Sequence, residues 1–167
     1  MENTSLDIGR HIFYRGVGIC EIVNKTTVDD RLYFVLSTLD GRSDTTLYVP
    51  SDCKDQMDKI CQIASKEQLQ TAINDAKEID YNWNDNRRER QEKFSAILRS
   101  DDFTNMLRMI RCLCLRNTLL KNENKRLSTC DNDILLKAKF IINQLLCYTH
   151  SISVSEAEAI LGYYFES

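Results

Sequence analysis

The residues whose types could do chemistry are concentrated in one polar segment around the only tryptophan, Trp83. Asparagines flank it, and Arg87, Arg88, Arg90 and Lys93 follow within ten residues. A flat apolar side chain held beside cations could insert at a base step of a nucleic acid while the cations hold neighbouring phosphates. The same residues could instead serve structure alone. The indole would then fill a gap between helices, and the basic residues, which alternate with glutamates, would form a solvated helix face.

Enzymatic chemistry is not favoured by the remaining residues. The sequence has no phosphate-binding glycine loop and no serine-hydrolase or zinc-protease motif. General acid–base and nucleophilic catalysis need matched partners, and His11 and His150 are the only histidines. We therefore expect a protein that is not an enzyme. The alternative, an enzyme that uses a cysteine, would need a thiol with a strongly lowered pKa.

The cysteines number seven, and no two of them form a Cys-x-x-Cys pair. They are Cys20, Cys53, Cys61, Cys112, Cys114, Cys130 and Cys147. An odd count without metal-ligand spacing favours small buried or half-buried thiols in a reducing compartment. We accordingly expect no metal and no cofactor. Cys112 and Cys114, two positions apart in a helical pattern, should lie on nearly opposite faces.

The charge distribution indicates that any nucleic-acid contact is made by one basic segment and not by the surface as a whole. The chain as a whole has a net charge of −3. Residues 83–127, however, hold 11 basic and 6 acidic side chains, while the segments before and after are both acidic. A basic block of this kind attracts phosphates only where it is exposed. We therefore expect weak, strongly salt-dependent and largely sequence-independent binding to free DNA.

The first third of the chain has the pattern of short β-strands. Runs rich in β-branched and aromatic residues occupy 11–14, 18–23, 32–36 and 45–49. Turn signals separate them at 15–18, Asp29-Asp30 and Asp40-Gly41. Pro50 should close the last strand because it cannot donate to a sheet ladder. This spacing predicts a small antiparallel barrel or a strongly bent sheet.

Everything after about Asp55 has a helical pattern. Helix starts are predicted at Ser65, after Trp83, at 100–102, at 128–131 and at Ser153 or Ser155, where capping residues precede apolar repeats. The third helix should bury one face, formed by Phe103, Met106, Leu107, Ile110, Leu113 and Cys114. Strands followed by helices make an α+β chain. The apolar runs are too short to cross a membrane, and the first residues lack the features of a secretion signal, so we expect a cytoplasmic protein.

The order of these parts resembles the CarD/CdnL family of bacterial transcription regulators. The matching stretches are 8–14 and 18–22 for the first two strands, 33–36 for the central strand, and 47–50 for a strand that ends in Val-Pro. In the helical half, Trp83 with Arg87, Arg88 and Arg90 is similar to the family's start of a basic helix. Residues 100–102, 109–113 and 135–146 match the segments that follow.

The resemblance implies a fold and a division of labour. Residues 1–60 would form a small N-terminal antiparallel Tudor/SH3-like β-barrel that binds the β-subunit lobe of RNA polymerase. Residues 61–167 would form an all-α C-terminal domain that contacts promoter DNA. The candidate polymerase-binding residues are Thr46, Leu47 and Tyr48. The candidate DNA-binding residues are Trp83, as the wedge, and Arg87, Arg88, Arg90 and Lys93, as phosphate contacts.

The function implied by this resemblance is stabilisation of the promoter open complex at its upstream fork. The protein would be a monomer, associated with the nucleoid through RNA polymerase. A protein-interaction adaptor remains the alternative, in which the sheet binds a peptide strand and the helices add a second protein surface without touching DNA.

Overall fold

The computed structural model describes residues 6–39, 45–78 and 82–165. The chain divides into two compact units, Met1–Ile63 and Ala64–Ser167. The first unit carries an antiparallel sheet and a single helical turn, and the second is helical. The chain is thus a mixed α+β protein, as its sequence predicts. The division falls three residues later than the predicted boundary at residue 60, because Ile60 and Cys61 belong to the sheet.

The sheet has five strands within the described residues. They are β1 (His11–Tyr14), β2 (Gly18–Val28), β3 (Arg31–Thr38), β4 (Thr46–Pro50) and β5 (Ile60–Cys61). Their order across the sheet is β4-β3-β2-β1-β5, and all pairs are antiparallel. β4 and β5 form its two edges and do not pair with each other, so the sheet is open. The closed form of the expected barrel is therefore absent from the described part of the chain.

Local backbone chemistry explains the tight turns of this sheet. Asp29 and Asp30 have φ angles of 49° and 59°, and they join β2 to β3 as a two-residue hairpin turn. Short polar residues tolerate this left-handed region better than most. Pro50 ends β4 as predicted. The other predicted hairpin turn, Asp40-Gly41, lies outside the described residues.

One face of the sheet carries a hydrophobic cluster. Its buried members are Ile12, Tyr14, Cys20, Ile22, Phe34, Leu36 and Val49. On the opposite face, Phe13, Ile19 and Val35 are buried as well. The register of β2 against β3 shifts between Ile22 and Asn24, so the bulge falls at the middle of the longest strand. Bulges bend a strand and increase its twist. The helical turn α1 (Lys54–Met57) adds Gln56, which accepts a 2.8 Å hydrogen bond from the hydroxyl of Tyr14.

The second unit contains five helices within its described residues. They are α2 (Lys66–Glu78), α3 (Arg87–Leu98), α4 (Phe103–Asn122), α5 (Thr129–His150) and α6 (Val154–Phe165). The predicted starts are confirmed by capping bonds. Ser65 and Gln68 form a reciprocal box, Asp102 and Ser128 accept from backbone N–H groups, and Ser153 pairs with Glu156.

Helix α4 lies at the centre of this unit and contacts α2, α3, α5 and α6. Five of the six residues predicted for its apolar face are buried, and Phe103 is partly buried. Met109 and Cys112 are buried too, so the burial extends beyond the predicted face. Cys112 and Cys114 point in different directions, yet both are buried. A helix that is apolar on most of its circumference is surrounded by other elements. None of the helices in the described ranges is long and apolar enough to cross a membrane.

Candidate nucleic-acid interface

The polar segment that precedes α3 is organised by its own asparagines. Asn86 is the N-cap of α3, and its side-chain oxygen accepts from the backbone N–H groups of Arg88 and Glu89. The side-chain oxygen of Asn84 accepts from the backbone N–H of Asn86 at 2.9 Å. Both asparagines also donate to the carboxylate of Glu89. The unusual composition around Trp83 is therefore the hydrogen-bonding frame of a helix start.

Trp83 is half-buried at this helix start. Its indole N–H donates to Oδ1 of Asp85 at 3.1 Å. The guanidinium carbon of Arg90 lies 4.1 Å from the ring centroid, and that of Arg116 lies 5.0 Å from it. Cations within about 6 Å of an indole face are attracted by the ring quadrupole. The ring is thus held by an α3 residue and an α4 residue, and part of it stays in contact with solvent.

Arg90 is one of the most deeply placed charges of the chain, with a relative exposure of 6%. It forms a bidentate ion pair with Asp131 on α5, at 2.9 and 3.3 Å. Its Nη1 also donates to the backbone carbonyl of Asn84 at 2.6 Å. The predicted role of Arg90 as a phosphate contact does not fit this geometry, because its guanidinium is buried and occupied. Its guanidinium instead packs against the indole ring of Trp83.

The three other predicted phosphate contacts are exposed. Arg87 and Arg88 occupy the first turn of α3, where the helix dipole favours anions. Arg88 is ion-paired with Glu92 at 3.0 Å, and its side chain is 89% exposed. Nη2 of Arg87 lies 3.8 Å from Sγ of Cys130. Lys93 is also exposed, but it follows Arg88 by five positions and therefore lies on another side of α3.

Arg116 and Asp131 are functional candidates that the sequence reasoning missed. Arg116 follows the buried Cys112 by four positions, and that spacing places it on an inward-facing side of α4. The sequence did not offer this signal, because the predicted buried face of the helix excluded Cys112. Asp131 follows the α5 N-cap, so it had an ordinary interpretation as an acidic residue of a first helical turn. Its partner Arg90 lies 41 positions earlier in the chain, and no local sequence pattern predicts this pairing.

Six of the seven cysteines are buried or half-buried, and all seven are free thiols in the structure. Burial raises the pKa of Cys112 to about 11, despite the opposing effect of nearby Arg90 and Arg116. Burial also raises the pKa of Cys147. A thiol nucleophile needs a shift in the opposite direction. Cys130 is exposed, unlike the expected buried thiols. The described residues contain no cluster of three or more His, Cys, Asp or Glu side chains that could hold a metal ion.

The three candidate polymerase contacts lie on the edge strand β4. Tyr48 is 61% exposed, and Thr46 is exposed on the same face of the strand. Leu47 is partly buried and packs against the core of the sheet, so its side chain faces inward. β4 pairs only with β3 among the described strands, which leaves its other side without a strand neighbour. An additional strand could bind there through backbone hydrogen bonds, with Tyr48 as a side-chain contact.

No protein-family model matches this chain, and no curated protein is significantly similar to it.

Proposed function

We propose that this protein is a bacterial transcription regulator of the CarD/CdnL type. It binds the β-subunit lobe of RNA polymerase through its sheet unit and stabilises the promoter open complex through its helical unit. It acts in the cytoplasm as a monomer, without catalysis. Its DNA contact is the ring of Trp83 at the upstream fork, with Arg87, Arg88 and Lys93 on neighbouring phosphates.

The observation that carries the proposal is the half-exposed indole of Trp83, held next to the exposed Arg87 and Arg88 at the start of α3. An aromatic ring that must enter a base step needs a rigid base and flanking cations. Arg90 and Arg116 lie over the ring, and exposed Arg87 and Arg88 stand at the adjacent helix start. The net charge of +5 over residues 83–127, from 11 basic and 6 acidic residues, agrees with a local phosphate contact.

The edge strand β4 supports the polymerase half of the proposal. Among the described strands it has a partner on one side only, and it exposes the ring of Tyr48. A Tudor-like barrel that remains partly open is the finer fold we propose for this unit. The bulge in the middle of β2 and the return of β5 to β1 rather than β4 support that interpretation.

The mechanism is a bias between closed and open promoter complexes. A protein that binds the melted complex better than the closed one shifts their equilibrium by its difference in affinity. One inserted aromatic ring and a few phosphate contacts supply a coupling of about 1 to 3 kcal/mol. That free energy changes promoter output severalfold, while contact with free DNA stays weak.

The experiment is a pull-down of purified bacterial RNA polymerase, followed by the lifetime of the open complex on a weak promoter. Wild type should bind and prolong the lifetime. Tyr48→Glu should lose polymerase binding, because it places a charge on the contact edge. Trp83→Ala should bind polymerase without prolonging the lifetime, and Trp83→Phe should retain part of the effect.

Tyr163→Glu is the matched control for Tyr48→Glu. Tyr163 is 76% exposed on α6, so the same charge is added at an exposed tyrosine of the other unit. It should bind polymerase as wild type does. Failure of wild type to bind any bacterial RNA polymerase would overturn the proposal.

The adaptor function is the second candidate, and one observation favours it. The indole N–H of Trp83 already has a local acceptor in Asp85, as a purely structural tryptophan would. An adaptor would bind its protein partner through β4, and Trp83→Ala would leave every binding step unchanged. Retention of the open-complex effect in a folded Trp83→Ala variant would therefore favour the adaptor.

A further inference from the structure

A buried ion pair lies directly against Trp83, the candidate DNA-contacting residue. The side chains of Arg90 and Asp131 are only 7% and 2% exposed, and their charged atoms approach to 2.9 Å. The same guanidinium has its carbon 4.1 Å from the ring centroid of Trp83. The half-buried indole is therefore connected, through one planar group, to a carboxylate inside the helical unit.

We propose that Arg90 and Asp131 are positioning residues for Trp83, whose ion pair fixes the guanidinium plane against which the indole rests. The use of that indole on DNA rests on the proposed function, whereas its positioning does not. The carboxylate of Asp131 is bonded to Arg90 and Ser128. It acts through Arg90.

The carboxylate of Asp131 is itself held in place. Ser128, the N-cap of α5, donates its hydroxyl to Oδ2 of Asp131 at 2.7 Å and accepts from the backbone N–H of Asp131 at 3.2 Å. Its two carboxylate oxygens then receive Nε and Nη2 of Arg90. Two parallel hydrogen bonds fix the orientation of a guanidinium as well as its position.

The third nitrogen of the guanidinium reaches the segment that carries the tryptophan. Nη1 of Arg90 donates to the carbonyl of Asn84, the residue directly after Trp83, at 2.6 Å. Arg90 therefore holds both the ring and the backbone beside it. A lysine could supply the charge but neither the bidentate pair nor the flat surface.

A role limited to joining α3 and α5 would not require this arrangement. Buried ion pairs that only connect elements can often be replaced by apolar groups without loss of stability. Here every polar atom of the guanidinium is directed either to Asp131 or to the backbone next to Trp83. The pair holds a large ring in one position at the surface. An apolar pocket could also hold the ring, but it would bury the ring away from solvent.

The test uses the fluorescence of Trp83, which is the only tryptophan and so reports this site alone. Acrylamide quenching is measured on the folded, full-length wild type and on Asp131→Asn and Arg90→Lys. Loss of the fixed guanidinium should free the ring, and the quenching constant should rise about twofold as a contact of this strength is lost. Arg99→Gln changes an exposed arginine at the opposite end of the same helix and should quench as wild type does.

The outcomes separate positioning from mere structural support. Structural support predicts lower stability but an unchanged quenching constant in the molecules that remain folded. If both variants are folded by circular dichroism and quench as wild type does, the proposal is overturned. If Asp131→Asn does not fold, Arg90→Lys decides alone, because it keeps the buried charge pair.

A second arm separates this inference from the proposed function. Binding to a duplex DNA with one melted end is measured for the same proteins at low salt. If quenching rises and DNA binding weakens in both variants, both ideas are supported. If quenching rises but wild type does not bind the forked DNA, the positioning pair stands and the DNA-contacting function fails.

Discussion

The guanidinium carbon of Arg116 on α4 lies 5.0 Å from the ring centroid of Trp83, which precedes α3. This contact differs in kind from the one made by Arg90. Arg116 is half-buried, and its Nε is enclosed without a hydrogen-bond partner, whereas Arg90 is fully paired. The two cations should therefore contribute very different amounts to the free energy of unfolding.

Arg116→Met is expected to change the free energy of unfolding by less than about 1 kcal/mol. The methionine keeps the apolar stem over the indole, and loss of the cation–π attraction is offset by removal of an unsatisfied buried N–H. Urea denaturation, followed by the fluorescence of Trp83, measures this change in the free energy of unfolding. A loss of several kcal/mol would contradict the weight assigned to this contact.

Asp131→Ala is expected to destabilise the helical unit by about 3 to 5 kcal/mol, because it leaves the buried guanidinium of Arg90 without its counter-charge. The same urea denaturation provides the measurement. Glu92→Ala breaks the exposed pair with Arg88 and serves as the control, with an expected loss of about 0.5 kcal/mol. Equal losses in the two variants would show that the burial of the Arg90 pair carries no weight.

Asp30→Gly is expected to stabilise the sheet unit by about 0.5 to 1 kcal/mol. Asp30 has a φ of 59°, a conformation that costs free energy for residues with a Cβ and none for glycine. Hydrogen exchange of β2 and β3 amides measures the change. Asp133→Gly, at an exposed position inside α5, should instead lower the stability of its helix by a few tenths of a kcal/mol. Destabilisation by Asp30→Gly would contradict the turn assignment.

The first turn of α6 should be sensitive to acid. A hydrogen bond from the backbone N–H of Ser153, together with one from its hydroxyl, lowers the pKa of Glu156 below its ordinary value. A carboxyl with a lowered folded pKa stabilises the folded state above its unfolded pKa of about 4.3, and the contribution disappears as pH falls through the folded pKa.

Glu156→Gln should therefore reduce the dependence of stability on pH below about pH 4.3, with little further change above it. Denaturation curves at several pH values between 7 and 3 provide the test. Glu158→Gln, at an exposed position of the same helix, should keep the wild-type profile. Identical profiles for wild type and Glu156→Gln would show that this cap does not couple to protonation.

Thiol labelling should distinguish the cysteines by burial. Cys130 is exposed and should react first with a thiol reagent near neutral pH, whereas Cys112 is buried with a pKa raised to about 11 and should react only after unfolding. Mass spectrometry of the labelled peptides identifies the order. Rapid labelling of Cys112 in the folded protein would revive the possibility of a cysteine-dependent enzyme.

Local patterns predicted most of the fold. The Asp29-Asp30 turn, the end of β4 at Pro50 and the helix starts at Ser65, Asp102 and Ser128 follow from residue chemistry within a few positions. β5 was missed because two residues, Ile60 and Cys61, are too few to show a strand period. It exists because these residues pair with β1, far away in sequence.

The exposed residues of the candidate site were predicted from the sequence, but the buried contacts that hold Trp83 were not. Trp83 and the exposed arginines stood out by composition alone. The burial of Arg90 could not be predicted, because an arginine among other charged residues looks like part of a solvated face until its partner on α5 is known. Sequence periodicity also understated the burial of α4, since a central helix needs apolar residues on more than one face.

The lengths of the strands have a consequence for self-association. Open sheets risk polymerising, because each exposed edge can template another chain. In this sheet the strands of 11 and 8 residues lie inside, while the two edges have only 5 and 2 residues. The longer edge also ends at a proline, which withholds an N–H group. An incoming strand can therefore find a short, finite template on β4, which suits one-to-one recognition and discourages fibre growth.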